Sequence, residues 1–110
     1  MFLLLQYMNT SEQRIRLDLN SPIFQEKLFR LQKQEQLSLL GTLRRLSQMT
    51  WSQLYGDHGL KWELIRTQKG PNGERLYTFR IAQSFRAVAI RDGDWLRLLS
   101  LHPDHDSAYE

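Results

Sequence analysis

Residues 75–101 read Arg75-Leu76-Tyr77-Thr78-Phe79-Arg80-Ile81-Ala82, Gln83-Ser84, Phe85-Arg86-Ala87-Val88-Ala89-Ile90-Arg91, Asp92-Gly93-Asp94 and Trp95-Leu96-Arg97-Leu98-Leu99-Ser100-Leu101. Three runs of strand length are separated by two short breaks, a pattern that predicts an antiparallel meander. Asp92-Gly93 suits a tight hairpin turn. Upstream, Gly70-Pro71-Asn72-Gly73 is the strongest turn signal in the chain, and Lys61-Trp62-Glu63-Leu64-Ile65 before it is a candidate fourth strand.

Working back towards the start, Arg14-Ile15-Arg16-Leu17-Asp18-Leu19 alternates with period two, as a strand with one buried face does. Asn20-Ser21-Pro22 stops it and opens a helix, with Ser21 as N-cap and Pro22 where a missing N–H costs nothing. Phe24, Leu28 and Leu31, with Ile23 alongside, make one helical stripe. Leu39, Leu43 and Leu46, with Leu40 beside them, make another. The polar residues 32–36 between them suit a connection, so a helical hairpin is expected, or else one long helix. Gly41 weakens the second helix by about 1 kcal/mol relative to Ala. Residues 50–59 read as a link tacked to the core by Trp51, Leu54 and Tyr55. The expected fold is α+β: an N-terminal strand, a helical hairpin, then a three- to four-stranded antiparallel meander with the helices on one face.

The chain has 110 residues, the size of one domain, which excludes a two-lobed enzyme with a cleft between lobes. Residues 1–12 read as an N-terminal extension and 13–110 as a single domain. The apolar start, Met1 to Met8, is too short to span a bilayer and lacks the marks of a signal peptide. Met8 is an alternative natural start, which would make 1–7 dispensable. No apolar run reaches membrane length, so no membrane association is expected. The absence of cysteine removes disulfides, thiolate metal sites and Cys nucleophiles, and fits a reducing cytoplasm.

The net charge of +3 conceals an asymmetry. Residues 61–97 hold eight Lys/Arg against four acids, whereas 98–110 hold none against three. Five arginines and no lysine lie from Arg75 to Arg97. Alternation puts Tyr77, Phe79 and Ile81 against the helices and leaves Thr78 and Arg80 on the open face. A three-residue loop would bring Arg86 to the same face as Arg80; a two-residue loop would oppose them. Arg97 is a further candidate for that face. Arginine offers phosphate a planar, permanently charged fork of donors, although half-exposed strands also carry charge on their wet face. The ending Leu101-His102-Pro103-Asp104-His105-Asp106-Ser107-Ala108-Tyr109-Glu110 adds groups that transfer protons near neutral pH. Its two histidines and two aspartates form no known zinc signature. Ser84 and Ser100 lack a nucleophile elbow, and no glycine-rich phosphate loop is present.

Tyr77-Thr78-Phe79-Arg80-Ile81, Phe85-Arg86-Ala87-Val88, the Asp-Gly-Asp turn at 92–94, Leu96 to Leu101 and His105-Asp106-Ser107-Ala108-Tyr109 together resemble the RelE/ParE superfamily of toxin–antitoxin toxins, over roughly residues 13–110. The resemblance implies a RelE-like toxin of a type II system, an endoribonuclease that cuts ribosome-bound mRNA without metal or cofactor and is restrained by an antitoxin. It implies catalytic roles for Arg80, Arg86, His105 and Tyr109, with RNA contacts from Arg75, Arg80, Arg86 and Arg97. His105 would be the base, with Glu63 as a second candidate. Some relatives carry two lysines where this chain has Thr78 and Arg80. The alternatives are a ParE-like gyrase inhibitor without nuclease activity and a non-toxic binding module of the same fold.

Overall fold

The computed structural model describes residues 13–103. The expected extension at 1–12 lies outside them, as do residues 104–110 with His105 and Tyr109. The elements are β1 (Arg16–Asp18), α1 (Pro22–Arg30), α2 (Lys33–Ser47), α3 (Trp51–Gly56), β2 (Glu63–Lys69), β3 (Arg75–Ala82), β4 (Phe85–Asp92) and β5 (Trp95–His102). The strands make one sheet in the order β1-β5-β4-β3-β2. The last four form the antiparallel meander, and β1 joins its far edge parallel to β5. The architecture is α+β, as the sequence predicts, with a mixed five-stranded sheet.

Local chemistry sets the helix ends. Ser21 Oγ accepts the Phe24 N–H at 3.3 Å and Pro22 occupies the first turn of α1. The connection expected across 32–36 is shorter. The Glu35 carboxylate accepts the Gln32 N–H at 2.9 Å, and residues 33–36 are already the first turn of α2. The stretch read as a link holds a helix of its own. Thr50 and Gln53 cap α3 reciprocally, with Gln53 N–H to Thr50 Oγ1 at 3.2 Å and Thr50 N–H to Gln53 Oε1 at 2.9 Å. Trp51 and Leu54 are buried as expected, but Tyr55 stays exposed, its hydroxyl 2.5 Å from Arg91 Nη1. β2 begins two residues later than expected. Lys61 turns the chain with a φ of 49°, and Trp62 lies flat on Tyr77, ring centroids 4.7 Å apart.

One face of the sheet is covered. α1 packs on β5, and α2 on β3 and β1. Phe24, Leu39, Leu46, Trp51 and Leu54 meet Phe79, Ala87, Ala89, Leu96, Leu98 and Leu101 in a continuous core. Truncating such leucines to alanine costs about 2–5 kcal/mol. β1 is secured from the other face as well. Arg97 Nε donates to Asp18 Oδ2 at 2.9 Å and Arg97 Nη2 to Asp92 Oδ2 at 3.2 Å. The Asn20 backbone N–H and then Arg97 hold the Asp18 carboxyl below the usual carboxylate range.

Gly41 sits on the exposed side of α2, where an added Cβ meets nothing within 4 Å. Gly41→Ala should therefore stabilise the fold by about 0.5–1 kcal/mol through the unfolded chain's entropy. A rise of several degrees in the thermal midpoint checks this.

Candidate functional site

The uncovered face of the sheet is organised around Arg86 on β4. The β3–β4 turn has two residues, Gln83 and Ser84, and Ala82 pairs with Phe85. Regular pairing from there would set Ile81 opposite Arg86 and send Arg80 to the face away from it. That is the outcome the sequence reading attached to a two-residue loop, and the structure corrects it. Ile81 is an extra residue, a β-bulge, so Arg80 lies directly opposite Arg86 and shares its face. A second register shift acts from the other side. Val88 pairs with Ser100 and Ala89 with Leu98, which leaves Leu99 unpaired. Beyond it Leu101 turns into the core while Ser100 and His102 turn out, and His102 comes opposite Arg86. Arg80, Arg86 and His102 thus form a row across three adjacent strands, spanning about 10 Å at the usual strand spacing.

The next row consists of Glu63, Thr78, Val88 and Ser100. Arg86 donates through Nε to Thr78 Oγ1 at 2.9 Å, its Nη2 also reaches that hydroxyl, and Nη2 lies 3.4 Å from Glu63 Oε1. The guanidinium is thereby aimed along the face. Arg80 is less committed: its Nε is shielded from solvent and has no hydrogen-bond partner among the described residues. Like charges directly opposite on neighbouring strands are destabilising, so this pair favours an anion between or above the two forks. Ser100 Oγ and His102 Nε2 are 2.8 Å apart. Burial and then the charge of Lys27 on α1 push the His102 pKa below its ordinary 6.5, so the ring is neutral at pH 7 and able to accept a proton.

Arg97, Arg75 and Glu63, the remaining expected residues among those described, take different places. Arg97 shares the open face, but Asp18 and Asp92 already match its charge. Arg75 alternates with Tyr77 and Phe79, and so projects from the opposite side of β3 to Arg80. Glu63 joins the site through Arg86. The sequence offers His102 and His105 as proton carriers; of the two, His102 is among the described residues, and it lies opposite Arg86. The one sequence signal for it was the slipped leucine spacing, Leu96 and Leu98 and then Leu101. Among the described residues no group of three or more His, Cys, Asp or Glu could hold a metal ion, and no helix is long and apolar enough to cross a membrane.

A solved structure shares this arrangement of elements. A chain of the archaeal RelE–RelB complex from Pyrococcus horikoshii OT3 superposes with a TM-score of 0.59 at 14% identity, over 86% of this chain and 99% of that one. The fold is RelE-like. No protein-family model matches the chain, and no curated protein matches it in sequence. Among the described residues no helix covers the second face of the sheet, and that face carries the Arg80–Arg86–His102 row.

An NMR titration should place His102 below 6.5, and Lys27→Ala should move it part of the way back, since burial is the larger cause. The unfolded chain takes up protons first as pH falls through 6.5, so this residue withdraws stability below that pH. His102→Gln should flatten the stability profile between about pH 7 and 5; an unchanged slope would contradict the assignment.

Proposed function

We propose that this protein is the toxin of a toxin–antitoxin pair and cleaves ribosome-bound mRNA without a metal. The observation that carries the reading is the arginine pair set opposite on neighbouring strands with a neutral histidine completing the row. Attack of a ribose 2′-oxygen on the adjacent phosphorus forms one P–O bond and breaks the bond to the 5′-oxygen, leaving a 2′,3′-cyclic phosphate and a 5′-hydroxyl. The step needs a base for the 2′-hydroxyl, an acid for the departing oxygen and cations for the charge that builds on the phosphoryl oxygens. Arg80 and Arg86 supply the charge. His102 takes the base role, in place of the His105 that the resemblance implies. His105 and Tyr109 are assigned to the departing 5′-oxygen, and Glu63 keeps Arg86 oriented. Cytoplasmic residence follows from the substrate.

In a cell-free translation reaction the protein should cut mRNA, with Arg80→Ala, Arg86→Ala and His102→Ala each lowering the rate at least a hundredfold and leaving the fold intact. His105→Ala and Tyr109→Phe should slow cleavage of natural RNA more than of a substrate with an activated leaving group. Inhibition of gyrase supercoiling without any RNA cleavage would replace this reading by the ParE-like one. Harmless overproduction would leave a binding module.

The similar archaeal chain was solved as a RelE–RelB complex, which supports an antitoxin partner here. The outer side of α2 offers it a surface: Leu37 and Leu40 are 54% and 59% exposed, with Lys33 and Arg44 one turn away on either side. Leu37→Glu with Leu40→Glu should abolish neutralisation by a co-expressed antitoxin without reducing cleavage. Full neutralisation of that double variant would remove α2 from the interface.

A further inference from the structure

Both bulged residues are held from the helical layer. A bulge leaves its extra residue outside the ladder, so that residue's carbonyl needs a donor from elsewhere. Thr42, on the inner side of α2, donates its hydroxyl to the Ile81 carbonyl at 3.1 Å. Ser21, at the start of α1, donates its hydroxyl to the Leu99 carbonyl at 3.3 Å while its oxygen accepts the Phe24 N–H. Each of the two unpaired residues on which the row depends thus has a carbonyl that a hydroxyl from the helical layer reaches. A further restraint comes from the Leu60 carbonyl, which takes the Arg80 N–H at 2.7 Å. That bond turns the Arg80 amide away from β4 and makes Arg80 opposite Arg86 the close, non-hydrogen-bonded kind of pair.

We infer that Thr42 and Ser21 are positioning residues for the site, fixing the bulges at Ile81 and Leu99 and through them the placement of Arg80 and His102 beside Arg86. Neither side chain touches the row. Regular pairing of β3 with β4 would turn Phe79 out of the core and Arg80 into it, so the core requires a bulge near the turn, and the Thr42 hydroxyl gives the Ile81 carbonyl there its donor. Ser21 does the same for β5 and caps α1 with the same atom. The inference rests on the row being the reactive site, but its structural half is open to measurement without RNA.

The test uses the full chain with Thr42→Val, which keeps the shape and removes the donor, and Thr42→Ser, which restores it. In the unaltered protein and in Thr42→Ser, NMR should show a strong cross peak between the Hα protons of Arg80 and Arg86. In Thr42→Val it should fade while the core resonances persist. Cleavage by Thr42→Val should lose about a hundredfold in kcat with little change in KM, the effect of a misplacement of about 1 Å. Ser21→Asp keeps an acceptor for the helix cap but cannot donate when ionised, and should break the backbone pairing of Arg86 with His102, read as faster exchange of their amide protons. An undiminished Arg80–Arg86 cross peak in Thr42→Val overturns the inference. Should that variant fail to fold, the unaltered protein still decides: a Thr42 hydroxyl proton in fast exchange, with no contact to Ile81, overturns it equally. If no form of the protein cuts RNA, the functional reading fails and the cross peaks still settle the positioning role.

Discussion

The register of β3 and β5 against Arg86 is the constraint on which the rest of this molecule turns. β4 is the central strand, and its neighbours reach it by short turns that would each, with regular pairing, present the wrong side chains. Single-residue bulges on both sides reset the alternation, so that a face otherwise of mixed side chains collects two guanidinium groups and an imidazole in one line. The gain is local and so is the cost. Two bulged residues and a pair of opposed positive charges are tolerated because Phe79, Ala87, Ala89, Leu98 and Leu101 on the reverse side are fully packed.

Much of the fold could be read in the residues. The meander, the two leucine stripes and the Ser21-Pro22 helix start depend on local rules, and local rules are written in adjacent side chains. What could not be read depends on contacts distant in sequence. The pairing of β1 with β5 relies on Arg97 meeting Asp18, seventy-nine positions away. The helix in the supposed link is a single capped turn and a half, too short for periodicity to reveal. The site was legible in part: Arg80, Arg86 and Glu63 were named, but their shared face depended on a bulge that Gln83-Ser84 does not announce. The ending offers both His102 and His105 as proton carriers, and the place of His102 opposite Arg86 is hidden by the leucine slip at 98–101, which looks like ordinary apolar strand until the register is known.

The sheet divides labour between its faces. The helical side supplies the cohesion and the donors that hold irregular backbone in place, and its outer surface exposes Leu37 and Leu40. The bare side carries the charge. Thr78 and Glu63 hold Arg86 still, Asp18 and Asp92 engage Arg97 in closing the sheet edge, and Arg80 is left with donors to spare. The modest net charge therefore describes neither side: Arg97 is matched by two aspartates, whereas Arg80 stands opposite another arginine.

The parallel pairing of β1 with β5 also bears on how the chain is made. A strand near the start of the domain waits for the last one, and the row draws its three members from β3, β4 and β5 in turn. During synthesis the early helices form with no sheet to cover. Neither the closed edge nor the completed row exists until residue 102 has left the exit tunnel, so a growing chain on its own ribosome carries the arginines but not yet the histidine set beside them.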